Sequence, residues 1–184
     1  MNGWAGVLAL FLAAALVVWF YLYKVVGNAK IVVRADERTP LVLEKLTESS
    51  ALLSCEVEFA NEGKQCATIM DCYTRHLLPY EQYSGVQLFS KAELVGAPRE
   101  DDYFEAVLIQ RGESIKVAVK IGLVDRTNRG IRAALAEMVD FPVDLVYQSV
   151  TRDPWRIDKV RLDVTAQEIA RLVEAADKGA KADG

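Results

Sequence analysis

The chain has 184 residues, 52% hydrophobic and 26% charged, with 11 Gly and 5 Pro. That balance excludes an intrinsically disordered chain, a collagen-like repeat and a low-complexity linker. A formal charge of −4 argues against a general nucleic-acid binder, and three cysteines are too few for a disulfide scaffold.

Met1 to Tyr23 contains no charged side chain, and Val7 to Tyr23 is wholly apolar or aromatic. About twenty such residues at a rise of about 1.5 Å match the roughly 30 Å hydrocarbon thickness of a bilayer. Trp4 stands near one end, and Trp19, Phe20, Tyr21 and Tyr23 at the other, where amphipathic rings favour the headgroup region. No Lys or Arg precedes the run and no small-residue cleavage site follows it, unlike a signal peptide. The expectation is a retained single-pass anchor over residues 1–26, with residues 4–23 contacting the lipid bilayer. Lys24, Lys30, Arg34 and Arg38 follow the span, so the positive-inside rule places the remaining domain in the cytoplasm. The alternative is outward display.

Residues 27–47 read as a juxtamembrane segment with the first strands, Lys30 to Ala35 and Leu41 to Leu46. Leu53, Cys55, Val57 and Phe59 then alternate with Ser54, Glu56 and Glu58, the pattern of a half-buried strand. Asn61 to Gly63 reads as a turn, with Gln65 to Tyr73 returning beside that strand. In this hairpin Cys55 lies opposite Met70, Ile69 or Cys72, depending on loop length. Val86, Leu88 and Ala92 alternate with Gln87, Lys91 and Glu93, and Tyr103 to Ile109 is a further β-rich run. Ile115, Val117, Val119, Ile121 and Leu123 form the clearest alternation. Ile131, Leu135, Met138 and Val139 have helical spacing and predict a short inserted helix. Two more strands are expected at Phe141 to Val150 and Ile157 to Val164. Thr165 and Glu168 have capping-box spacing and open an amphipathic helix over residues 166–178, with a disordered tail at 179–184. Many short strands separated by turns predict a mainly β antiparallel sandwich.

Phe59 to Gly63 before Ile69 to Asp71, and Gln110 to Ser114 before an alternating strand, carry a resemblance. Residues 48–165 resemble the immunoglobulin-like and fibronectin-III-like sandwiches of bacterial surface or membrane-tethered proteins. The resemblance implies an Ig-like β-sandwich and a role in adhesion, scaffolding or assembly, and it transfers no catalytic residue.

The residues offer little chemistry. His76 is the only histidine, and no nucleophile motif accompanies it. Cys66 and Cys72 lack the paired spacing of a zinc site, and free, mostly buried thiols are expected. Arg99, Glu100, Asp101 and Asp102 read as a solvated turn, since they lack calcium-loop spacing. Arg152, Arg156, Lys159 and Arg161 alternate with Asp153, Asp158 and Asp163, a mixed-sign face rather than a phosphate track. The expectation is a non-enzymatic binding or assembly module, without cofactor or metal, that takes a protein partner and no nucleic acid. Its candidate partner-binding residues are Tyr73, His76, Leu77, Leu78, Tyr80 and Tyr83, aromatic-rich positions leading into and along a loop. A lipid- or small-molecule-binding sandwich is the alternative, which an apolar cavity of several hundred Å³ would mark.

Overall fold

The alternating runs pair into two antiparallel sheets in a computed structural model, which describes residues 3–99, 101, 103–152 and 154–182. The strands are β1 (Ile31–Val33), β2 (Val42–Leu46), β3 (Ser50–Asn61), β4 (Ala67–His76), β5 (Val86–Leu94), β6 (Val107–Ile109), β7 (Ser114–Asp125), β8 (Phe141–Val150) and β9 (Arg156–Val164). One sheet has the order β1-β3-β7-β5, with β2 also on β3; the other has the order β6-β4-β8-β9. Strand orders A-B-E-D and C-F-G define the constant-type immunoglobulin sandwich. Here β1-β3-β7-β5 and β4-β8-β9 reproduce both, while β2 doubles one edge and β6 extends the other. The expected Ig-like β-sandwich is the observed fold.

Strand parity decides which side chains meet between the sheets. Leu53, Val57 and Phe59 of β3 and Val117, Val119, Ile121 and Leu123 of β7 are buried, facing Ile69, Val143 and Leu145 of the other sheet. Phe59 and Tyr147 meet edge to face across the interior, ring centroids 5.2 Å apart. The expected hairpin of β3 with β4 is not formed. β3 pairs with β7 from Ser50↔Val124 to Ala60↔Ser114, and β4 pairs with β8. Both strands carry an apolar inward face, so the chain crosses between sheets at Asn61–Cys66 to place them on opposite sides of one core. Cys55 and Cys72 therefore lie on different sheets; both are buried and free, whereas the free Cys66 is exposed.

Helix α1 (Gly3–Tyr21) continues as a π-helical turn, Leu22–Val26. Trp4–Val26 is long and apolar enough to cross a membrane, with mean hydropathy 2.4 and nothing of it buried in the protein. Short α2 (Ile131–Ala136) buries Ile131, Ala134 and Leu135. In α3 (Ala166–Ala182) Ile169 is buried against the sandwich, and the capping box is present. The Glu168 amide donates to Thr165 Oγ1 at 3.2 Å, and the Thr165 amide donates back to Glu168 Oε2 at 3.3 Å. α3 runs four residues beyond its expected end, so residues 179–182, expected as tail, are helical; 183 and 184 lie outside the described residues.

The linker after the long helix is held by the turn between β3 and β4. Gly27, at φ +60°, ends the π turn. Gln65 Nε2 donates to Val26 O at 3.0 Å, Lys64 Nζ to Lys24 O, and the Lys64 amide to Asn28 O at 2.8 Å. A Cβ on Gly63 would stand 2.2 Å from Lys30 N, so only glycine admits this approach. Buried Asn61 ties the corner: its Nδ2 donates to Gln65 O at 2.7 Å and to Ile109 O at 3.1 Å, while Oδ1 accepts from the Gly63 amide at 3.0 Å. The linker and the segments at 62–66, 110–113, 151–152 and 154–155 form the near end of the sandwich. The connections at 47–49, 77–85 and 126–130 form the far end.

Candidate functional site

β4 and β5 are consecutive strands on different sheets, and their neighbouring edges leave one side of the sandwich open. β6 covers β4 only at Ala67–Ile69, so Asp71 to His76 has a strand partner on one side alone, β8. β5 is the last strand of its sheet. The bonds from Arg126 N to Gly85 O and from Val95 N to Lys116 O continue the β5–β7 ladder at its two ends. They assign odd-numbered residues to β7 and turn the N–H and C=O groups of Leu88, Ser90 and Ala92 outward. The bond from Leu77 N to Pro142 O does the same for β4, turning Cys72, Thr74 and His76 outward. No backbone bond joins the two edges among the described residues; one side-chain bond does, from Thr74 Oγ1 to Ser90 Oγ at 2.8 Å.

An open groove of about 470 Å³ lies along this side. Tyr73, Thr74 and Cys72 of β4 line it with Phe89, Ser90 and Ala92 of β5, and it extends over the outer face of the β5 sheet to Lys120 and Gly122. Tyr73 and Phe89 are each 52% exposed, so two aromatic rings stand free at its margins. Its charges are balanced: Lys120 pairs with Glu93, and Lys91 lies 3.5 Å from Glu93. The groove is a surface feature, because the inter-sheet space is filled by packed side chains.

The six residues expected to meet a partner divide in the structure. Tyr73 lines the groove and His76 ends the same edge. Tyr80 is 64% exposed at the far end, with the Arg126 guanidinium 5.5 Å from its ring centroid. Tyr83 is half-buried and donates its hydroxyl to Ala134 O, which fastens the loop to α2. Leu78 is buried in the core and Leu77 half-buried. Phe89 escaped the sequence reading, although a signal was present: it is the apolar exception among Gln87, Lys91 and Glu93 at the outward positions of its strand.

The groove has little capacity for covalent chemistry. Burial, reinforced by Asp71, pushes the Cys72 thiol up to about 12, so the nucleophilic thiolate is scarce. His76 follows four residues along the same strand, roughly 13 Å away and beyond proton-transfer reach. Burial lowers the His76 pKa, and its Nδ1 has no hydrogen-bond partner among the described residues. The described residues contain no group of three or more His, Cys, Asp or Glu able to hold a metal ion. Of the acidic turn considered for calcium, Glu100 and Asp102 lie outside the described residues, and Arg99 binds Asp101 at 2.7 Å.

No known protein family matches the sequence, and no curated protein matches it. Among solved structures, the chain is similar to the GAE domain of GGA2p from Saccharomyces cerevisiae, at 8% identity and a TM-score of 0.35, covering 75% of this chain and 98% of that one. A second similarity is to the yeast GGA1 GAE domain, at 6% identity and a TM-score of 0.31, covering 67% and 97%.

Proposed function

We propose that the chain is a single-pass membrane-anchored, non-enzymatic module that binds a protein partner along the open β4–β5 side. One observation carries the reading: the backbone groups at Leu88, Ser90 and Ala92 point outward beside a groove flanked by exposed Phe89 and Tyr73. An extended peptide added to β5 satisfies these groups and sets alternate side chains against the two rings. Ser90 is the mid-point of the edge, and Tyr80 extends the surface at the far end. The apolar helix supports anchoring, and the basic residues that follow it support a cytoplasmic domain.

The test places a photo-crosslinking side chain at Phe89 in the full-length protein in its native membrane, with a second at Lys159 on the opposite side. A product formed from position 89 but not 159, and lost in Ser90→Pro, supports strand addition. Equal crosslinking from both positions, or indifference to the proline, refutes it. Extraction of the membranes at alkaline pH tests the anchor separately, since a spanning chain stays in the pellet.

A further inference from the structure

At the near end, one row of side chains crosses the outer face of the β6-β4-β8-β9 sheet. Leu108 pairs with Thr68, and Thr68 with Val150. The β8–β9 register, Ser149↔Arg156, continues by one step to set Trp155 opposite Val150. Leu108 is 52% exposed and Trp155, just before β9, 61%, an unusual exposure for an indole. The turn that grips the linker is part of the same end, and the Lys64 ammonium reaches Lys24 O in the last turn of the long helix. The row therefore lies at the end of the sandwich where that helix joins it.

The linker and three of the turns at this end are rich in basic residues. Residues 24–30, 62–66, 110–113 and 151–156 contain six lysines and arginines and three acids, whereas the β5–β6 connection at 95–106, which leaves β5 at this end, contains one arginine and four acids. Lys64, Arg111, Arg152 and Arg156 are all exposed. An indole with neighbouring basic groups matches the headgroup layer, where amphipathic rings partition and anionic phosphates collect.

We infer that the near end of the sandwich rests on the anionic lipid surface, with Trp155 in the headgroup layer and Arg111, Arg152, Arg156 and Lys64 against phosphates. The inference rests on the anchoring reading above. The occupant is lipid because the patch is continuous with the helix exit and its exposed Arg111, Arg152 and Arg156 complement anionic headgroups. The far end, with Tyr80, is thereby turned away from the bilayer.

The test uses the full chain with Trp4→Phe and Trp19→Phe, which leaves Trp155 as the sole indole emitter. The protein is reconstituted into phosphatidylcholine vesicles with or without phosphatidylserine. With phosphatidylserine, Trp155 emission is expected to shift to the blue and to be quenched by lipids spin-labelled near the headgroup. High salt should reverse both effects. Arg152→Gln and Arg156→Gln should each weaken the contact about fivefold, one basic residue's share near an anionic surface. Chain that resists alkaline extraction while Trp155 stays water-exposed in both vesicle types overturns this inference and leaves the anchoring intact. Chain that is extracted overturns both. Shielding of Trp155 that persists without phosphatidylserine, ignores salt and escapes the spin-labelled lipids assigns the patch to a contact between copies of the chain and overturns the lipid assignment.

Discussion

Val119 is fully buried between Cys55 and Ala92, while its neighbour Lys120 projects from the outer face toward Glu93 and Glu44. Val119→Asp is expected to cost several kcal/mol, about the whole stability of a small domain, because the carboxylate finds no partner in the core. Lys120→Gln should cost less, about 1–3 kcal/mol, since it removes one of two cations beside the buried Glu93 and leaves Lys91 at 3.5 Å. Urea unfolding of the two variants checks the difference. Asn61 is a second sensitive position. Truncation to Ala strands the Gln65 and Ile109 carbonyls and the Gly63 and Lys30 amides, the last of which donates to Asn61 Oδ1 at 3.3 Å, with an expected loss of about 2–3 kcal/mol. His76 brings a pH dependence. Burial holds its folded pKa below the usual imidazole value, so between those two values the unfolded chain binds more protons. Its contribution is complete above about pH 6.5 and is lost as pH falls through the folded value. His76→Leu should therefore flatten the decline in Tm from about pH 7 to about pH 5, measured by thermal unfolding against the parent protein.

At the scale of elements, parity was legible and adjacency was not. Leu53, Val57, Val117 and Val119 are buried as their alternation requires, and Thr165 with Glu168 caps α3 as the spacing predicts. Both rest on local signals: a two-residue period and a three-residue spacing. Nothing local says which strand lies beside β3. Its inward residues suit β4 or β7 equally, so a short turn at Asn61–Gly63 predicts a hairpin where the chain in fact changes sheets. The open side was illegible for the same reason, since an edge exists only once the strand order is known. Of the groove residues, Tyr73 was singled out in the sequence by its aromatic character. Phe89 and Trp155 required knowledge of which face each presents. Glycines give a further element-scale contrast. Gly63→Ala should force the linker off the β3–β4 turn, raising proteolysis at residues 27–30 about tenfold. Gly179→Ala in α3 meets no neighbour within 4 Å and should raise stability by up to about 1 kcal/mol.

For the whole molecule, the division falls at the linker. The sandwich has its own core and both its sheets after residue 30, whereas the long helix adds nothing to that core. Residues 28–184 are expected to express as a soluble protein with one cooperative thermal transition, because the linker residues that pack against Gly63 are retained. A broad, non-cooperative melt would show that the helix is part of the folding unit.

On the proposed anchoring, the grip of the β3–β4 turn on the linker fixes how the sandwich stands relative to the helix end. A domain on a slack tether sweeps a hemisphere and meets partners at any height. Here three hydrogen bonds fasten the tether to the sandwich within a few residues of the helix end. Ser90 pairs with Ile121, which pairs with Leu53, eight residues along β3 from Asn61. At about 3.3 Å per residue, the outward edge stands roughly 26 Å from the near end. If the long helix anchors the chain and a partner adds a strand at this edge, as proposed, the molecule acts as a gauge: a partner rooted in the same membrane presents its strand about that far from the near end.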